Sequence, residues 1–126
     1  MRDFEQNSNI VADVAAGAAA NGTTYYYYDM RRFSRSSLQV VIAGAGTVTV
    51  TVEGASQNAV DATGAASLTY ADLTNTAYGA ANFTASGQGY DETGITGTCT
   101  WIRIKIVVAS SDGTTAYSAY LNQTGW

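Results

Sequence analysis

Few side chains in this sequence could carry out catalysis. The chain has no histidine, which rules out an imidazole base, a serine triad of the usual kind and a histidine-based zinc site. Cys99 is the single cysteine, so it can form neither an internal disulfide nor a thiolate metal cluster, and we expect it to be a small buried hydrophobe. The sequence therefore predicts a protein that is not an enzyme and binds no cofactor.

Most of the carboxylates lie in sequence contexts that are typical of turns. Asp61, Asp72 and Asp112 lie among glycine, threonine and serine, where aspartates typically form turns. Asp91 and Glu92 are adjacent and would point to opposite faces of a strand, whereas a glycosidase needs two carboxyls across a sugar-sized cleft. All of these acids except Asp72 lie in predicted loops, where their oxygen atoms could bind calcium. A calcium site is therefore an alternative. The spacing of these acids matches no EF-hand, and we predict no metal site.

The stretch TYYYYDMRRFSR, residues 24–35, indicates binding instead. A strand with one face in water alternates polar and apolar residues, and this one does not, so we expect both faces to make contacts. One tyrosine pair can face a core while the other lies outside, beside the arginines. Tyrosine and arginine are enriched at interface hot spots, and a terminal tryptophan is costly to leave in water. The predicted subunit interface consists of Tyr25, Tyr26, Tyr27, Tyr28, Arg31, Arg32, Arg35 and Trp126. Within it, we expect Tyr26, Tyr28 and Arg32 to contact the partner.

The elements that must position these residues are strands. The 126 residues include 13 glycines and no proline, and only 13% are charged, a composition that favours strands and turns over helices. Residues 36–43 and 47–53 alternate in hydrophobicity around a Gly-Ala-Gly turn and predict a β-hairpin. Residues 100–109 predict a further strand with its isoleucines inward, followed by a turn at residues 110–113 and a returning strand over residues 116–121.

Weaker patterns complete the predicted domain. We expect a strand near residues 10–15, a short strand in residues 67–73, and one or two strands with long loops in residues 75–97. Residues 1–9 are polar and predict a flexible N-terminal arm, with residues 10–126 as a single domain. Together these elements predict an all-β fold, an antiparallel two-sheet sandwich. A jelly roll is favoured, and an immunoglobulin-like sandwich is the alternative.

The net charge and the exposed aromatic residues limit the classes of partner that the protein could bind. A net charge of -4 and a pI near 4.4 argue against nucleic acid, and no stretch is long and apolar enough to cross a membrane. The N-terminus does not resemble a signal peptide, so we expect synthesis in the host cytoplasm. Carbohydrate is an alternative ligand because sandwich modules bind sugars through exposed rings. The candidate rings are Tyr25, Tyr27, Tyr78, Tyr90, Tyr120 and Trp126.

The run from Tyr25 to Gln57 resembles a pattern in small β-proteins of tailed-bacteriophage virions. In that pattern an aromatic strand ends in Asp-Met, and Ser-Leu-Gln then opens an apolar strand. A glycine turn and an alternating Thr/Val strand follow. The resemblance covers about a quarter of the chain, and residues 100–108 fit the later core strand of such proteins. The missing prolines and the glycine-rich middle depart from the pattern.

The resemblance implies a structural role without catalytic residues. Decoration (cement) proteins, several of them jelly rolls, have this appearance, as do neck, tail and head-fibre components. We therefore expect a capsid decoration protein on the outside of a virion, bound to the major capsid protein and to itself as a homodimer or homotrimer. A carbohydrate-binding module or receptor-binding head fibre is one alternative, and a tail or neck subunit is another.

Overall fold

Two antiparallel sheets face each other in this protein. The computed structural model describes residues 5–33, 35–73, 83–86, 89–96 and 99–125, with the backbone alone for residues 5, 35, 83–86 and 89–96. The strands are β1 (Glu5–Val14), β2 (Gly22–Asp29), β3 (Arg35–Ala43), β4 (Thr47–Ala55), β5 (Ala71–Asp72), β6 (Phe83–Ser86), β7 (Gly89–Thr96), β8 (Trp101–Ala109) and β9 (Ala116–Gly125), with one helical turn, α1 (Ala62–Ala65). The β1 sheet has the order β1-β9-β3-β7. The β2 sheet has the order β2-β8-β4-β5, and β6 also pairs with β4.

The strand pairing follows a nested pattern. Strands of the first half pair with their mirror partners in the second: β1 with β9, β2 with β8, β3 with β7, and β4 with β6. Further pairing of β3 with β9 and of β4 with β8 completes the two sheets. The pattern is that of one long hairpin rolled into two sheets, which is a jelly roll. The prediction of an all-β jelly roll is confirmed over the immunoglobulin-like alternative.

The core forms from the alternate positions of four strands. Successive side chains of a strand point to opposite faces, so an apolar residue at every second position gives each strand one buried face. These inward positions, each at most 8% exposed, are Leu38, Val40 and Ile42 of β3; Val48, Val50 and Val52 of β4; Ile102, Ile104, Ile106 and Val108 of β8; and Tyr117, Ala119 and Leu121 of β9. The inward facing predicted for the isoleucines of β8 is confirmed, and so is the alternation predicted for β3 and β4.

A buried amide continues the inward row of β9 and joins the two sheets. The Gln123 side chain is 2% exposed. Its Nε2 donates to the backbone carbonyl of Asp29 in β2 at 3.0 Å, and its Oε1 accepts from Nδ2 of Asn9 in β1 at 3.1 Å. A buried amide is stable only when its donors and acceptors are paired. Gln123 therefore fixes the β1 edge of one sheet against the β2 edge of the other.

The predicted hairpin over residues 36–53 is wrong, although both of its strands are present. β3 lies in the β1 sheet and β4 in the β2 sheet. Gly44 and Gly46 take φ values of +85° and +93°, which turn the chain from one sheet into the other. The strand predicted to return after residues 110–113 likewise enters the other sheet. Alternation shows which face of a strand is buried, but it does not show which strand lies beside it.

The boundaries of several other elements also differ from the predictions. Residues 5–9 lie in β1, so the predicted arm over residues 1–9 is too long. Residues 5–9 form a strand because β9 extends to Gly125 and pairs with them. Asp91 and Glu92 lie in β7 and not in a loop, since the neighbouring β3 offers a full strand to pair with. Of the strand expected in residues 67–73, only Ala71–Asp72 forms. Trp126 and Tyr78 lie outside the described residues.

A pair of glycine substitutions tests the crossing between the sheets. Gly44 and Gly17 both have positive φ, but a Cβ on Gly44 would overlap the backbone carbonyl of Thr114, while a Cβ on Gly17 would meet nothing within 4 Å. We expect Gly17→Ala to cost about 1 kcal/mol of unfolding free energy from the backbone conformation alone. Gly44→Ala should cost at least twice as much, as measured by urea denaturation. Equal losses would contradict the close approach at the crossing.

Candidate interaction surfaces

The tyrosine strand lies at the edge of a sheet. Among the described residues β2 pairs with β8 alone. Tyr26 and Tyr28 lie opposite Ile104 and Ile102 and pack against the core. Tyr25 and Tyr27 lie opposite Lys105 and Arg103, on the outer face. The run therefore divides into an inner and an outer pair, as its spacing predicts. The pair expected to contact a partner, Tyr26 and Tyr28, is the inner one.

An arginine that the sequence analysis did not select organises the outer pair. The Arg103 guanidinium lies 4.6 Å from the centroid of the Tyr25 ring and 4.5 Å from that of Tyr70. Its Nε donates to Oε1 of Glu53 at 2.8 Å, and the two charged side chains are 20% and 13% exposed. Stacking and ion pairing together hold Arg103 in place. Glu53 and Arg103 are direct neighbours on β4 and β8, a relation that becomes visible only once the register is known.

Residues 56–70, the cover segment, pack on the outer face of the β2 sheet. Trp101 faces away from the main core, yet it is only 4% exposed. Its Nε1 donates to the carbonyl of Ala59 at 3.3 Å, and it forms a second small core with Ala59 and Ala65. Tyr27 and Tyr70 pack against this core with their ring centroids 5.9 Å apart. Tyr27 is therefore partly covered by its own chain.

The side chains of Arg31 and Arg32 are described in the structure, and that of Arg35 is not. Arg31 forms an ion pair with Asp29 at 2.6 Å, donates to Asn58 at 3.2 Å and lies 5.6 Å from the centroid of the Trp101 ring. Arg32 lines a groove further along the turn. For Arg35 the backbone alone is described, and it opens β3 in register with Thr124 and Thr96. The interface assigned to these residues stays a prediction.

A groove of about 720 Å³ runs between the edges of the two sheets. Its lining residues are Gln6, Asn7, Tyr27, Tyr28, Asp29, Arg32, Phe33, Ala62, Trp101 and Gln123. Three of the predicted interface residues, Tyr27, Tyr28 and Arg32, thus line one surface. The groove forms because β1 and β2 end their respective sheets on the same side of the sandwich.

The outer face of the β1 sheet forms a second surface, which we call the β1 face. Ile10, Tyr120 and Gln39 form one row across β1, β9 and β3, and Ser8, Asn122 and Ser37 form the next row. Ile10 is 70% exposed, Tyr120 is 37% exposed, and Val41, diagonal to Tyr120, is 38% exposed. The two rows border a groove of about 280 Å³.

Most described side chains of the β1 face are uncharged, although the register also sets Glu92 in the row of Gln39 and Arg35 in the row of Thr124. Asp13 is the one charged residue among its described side chains, and its carboxylate accepts from the Ser118 hydroxyl at 3.3 Å. The sequence indicated Tyr120 as an exposed ring but not Ile10. The exposure of Ile10 depends on which strands lie beside β1, and the sequence does not show this. Exposed apolar side chains within a neutral polar face are typical of a protein interface.

The described residues offer little for catalysis or metal binding. No group of three or more potential metal-ligating side chains occurs among them. Asp61 caps α1 by accepting from the Gly64 amide at 2.9 Å, and Asp112 accepts from the Thr114 amide at 2.8 Å, so the turn roles predicted for both are confirmed. Burial raises the pKa of the Cys99 thiol, which packs against the main core. None of the described helices has the length and apolar character needed to cross a membrane.

Comparison with known proteins shows the fold alone. No protein-family model and no curated protein matches the chain. The solved structure of the PBSX exported protein XepA is 12% identical with a TM-score of 0.59, and the match covers 94% of this chain and 37% of XepA. A chain of the T13 IBDV viral particle is 14% identical with a TM-score of 0.51, and here 97% of this chain and 31% of that chain are covered. This chain thus spans about a third of each, with the same sandwich architecture.

Substitution of Arg103 tests the stacked ion pair. Arg103→Ala leaves Glu53 largely buried without its partner and removes the stacking on Tyr25 and Tyr70. We expect a loss of about 2 kcal/mol in unfolding free energy, measured by urea denaturation. Lys105→Ala, on the same face two residues further along, is the matched control and should cost less than about 0.5 kcal/mol. Equal effects would show that the network adds nothing to stability.

Acid titration tests the Asp29 pair. Hydrogen bonds from the Arg31 side chain, partly opposed by burial, hold the pKa of Asp29 below its ordinary value of 3.8. The ionised pair therefore contributes its full stabilisation above about pH 4, and this is lost as the pH falls through the lowered pKa. Because both side chains are more than a third exposed, screening by solvent keeps this contribution small. We expect Asp29→Asn to make the acid loss of stability less steep, and identical slopes would contradict the pair.

Proposed function

We propose that this protein is a structural component of a tailed-phage virion, a decoration protein that binds the outer shell and bridges major capsid protein subunits. The observation that carries the proposal is the β1 face. Its described side chains are mostly uncharged, and Ile10, Tyr120 and Val41 are exposed there among side chains with amide and hydroxyl groups. Such a face gains free energy by burial while its polar groups find partners on the opposite surface.

Further features of the chain support a mechanical role. The described side chains offer no catalytic constellation, and we propose that the protein is not an enzyme. Its binding energy would resist shell expansion, because a clamp on several subunits requires their contacts to break together. The resemblance of residues 25–57 to small virion proteins agrees with this role. So does the occurrence of the fold in a chain of a viral particle.

Two other functions are alternatives to the decoration role. Tyr120 beside Asn122 and Gln39 in a shallow groove is also an arrangement that suits a sugar ring. A glycan-binding head fibre is therefore the second candidate. A tail or neck subunit is the third, and it differs from a decoration protein chiefly in the number of copies per virion.

Quantitative gels of purified virions of the encoding phage test the role. We expect a copy number near that of the major capsid protein, and the purified chain should bind again to particles stripped of it. A few copies per particle would instead indicate a tail or neck subunit. Binding to a glycan array without affinity for shells would favour the head fibre.

Two aspartate substitutions test the surface. Ile10→Asp replaces the most exposed large apolar side chain of the β1 face by a charge and should weaken shell binding by about 2 kcal/mol, or about 30-fold in Kd. Val60→Asp is the matched control, because Val60 is 90% exposed on the cover segment and away from the β1 face. It should leave shell binding unchanged. An equal loss in the two variants would contradict the assignment of the β1 face.

A further inference from the structure

The edge strands of the two sheets differ in the features that prevent them from pairing with another chain. Native edge strands are commonly blunted by charges, bulges, proline or short length. β1 carries Asp13 and a bulge between Ile10 and Ala12, β7 carries Asp91 and Glu92, and β5 has only two residues. β2 has eight residues, pairs with β8 without a register shift, and bears no charge from Gly22 to Tyr28. Over residues 22–28, β2 therefore has none of these devices, whereas β1, β7 and β5 each have at least one.

The inner side chains of β2 are incompletely covered. Ile102 and Ile104 of β8 are fully buried. Tyr28 and Tyr26, which lie directly opposite them in the same rows of the sheet, are only half-buried. On the outer face Tyr25 is 40% exposed. Both faces of β2 therefore carry rings whose far sides meet neither the core nor the cover segment.

We propose that β2 pairs with β2 of a second copy of this chain, in antiparallel orientation, to join the two β2 sheets into one continuous sheet. A two-fold axis at Tyr25, the centre of the uncharged run, sets Tyr25 opposite its own copy. Thr24 then lies opposite Tyr26, and Thr23 opposite Tyr27. A two-fold interface uses the same patch on both subunits, so the patch must be complementary to itself.

The composition of the strand meets this requirement. Like charges placed directly opposite each other destabilise an antiparallel pair, whereas Tyr–Tyr and Tyr–Thr pairs stabilise it. Pairing of residues 22–28 with their copies brings no two charges together, and Asp29 falls just beyond the paired region. The rings of both faces would lie against rings and threonines of the second copy. This would complete the burial of tyrosine rings that the single sandwich leaves partly exposed on both faces of β2.

Charge substitutions at Tyr25 test the pairing in solution. The wild-type chain should be dimeric by light scattering after size exclusion. Tyr25→Lys and Tyr25→Glu each place like charges opposite each other at the axis, and each should raise the dissociation constant about 100-fold. Mixing the two variants should restore the dimer, because opposite charges then meet. Val41→Lys is the matched control, with 38% exposure against 40% for Tyr25, and it should leave the dimer intact.

Hydrogen exchange on the wild-type chain provides a second test that needs no variant and so does not depend on how Tyr25→Lys folds. Amides of β2 should exchange more slowly at high protein concentration than at low, while those of β1 should not change. A monomeric wild type, dimeric charge variants, no recovery on mixing, or β2 exchange independent of concentration would each overturn the proposal. The inference does not depend on the proposed function, since a dimer in solution can be present whether or not the chain binds a shell.

Discussion

The structure depends on one constraint: two sheets must bury a single shared interior. Four strands with strict alternation, β3, β4, β8 and β9, supply that interior, and the nested pairing brings them together as two central pairs. The apolar face of each sheet is buried in this shared interior. The outer faces of the two sheets can therefore differ from each other in composition. The β2 sheet fills part of its outer face with the cover segment and Trp101, while the β1 sheet leaves its outer face open.

Polar and charged contacts in this protein hold edges and outer faces in place, and the core itself is apolar. Gln123 joins the sheets at the open side of the sandwich, and Arg103 binds Glu53 between two tyrosine rings. Both contacts restrict the side chains that they join. A surface that is fixed before binding loses little conformational entropy on association, which suits a protein whose proposed role is to hold other subunits together.

The proposed surfaces fit together in one scheme. The β1 face and the β2 edge belong to different sheets, so binding at one leaves the other available. A dimer through β2 would present two β1 faces, and two linked weak contacts bind far more tightly than either alone. In this scheme the tyrosine run serves self-association, and the β1 face binds a partner.

The sequence by itself determined the four core strands, their buried faces and the all-β class, because the period of two is a local property that sterics impose on any strand. It also identified the tyrosine run as unusual and divided it into two pairs. Only the tertiary structure decided which pair faces the core, that residues 36–53 cross between sheets, and that Arg103 stacks on Tyr25. These depend on which strands become neighbours. Neighbours distant along the chain are chosen by the packing of the whole core, which no local pattern contains.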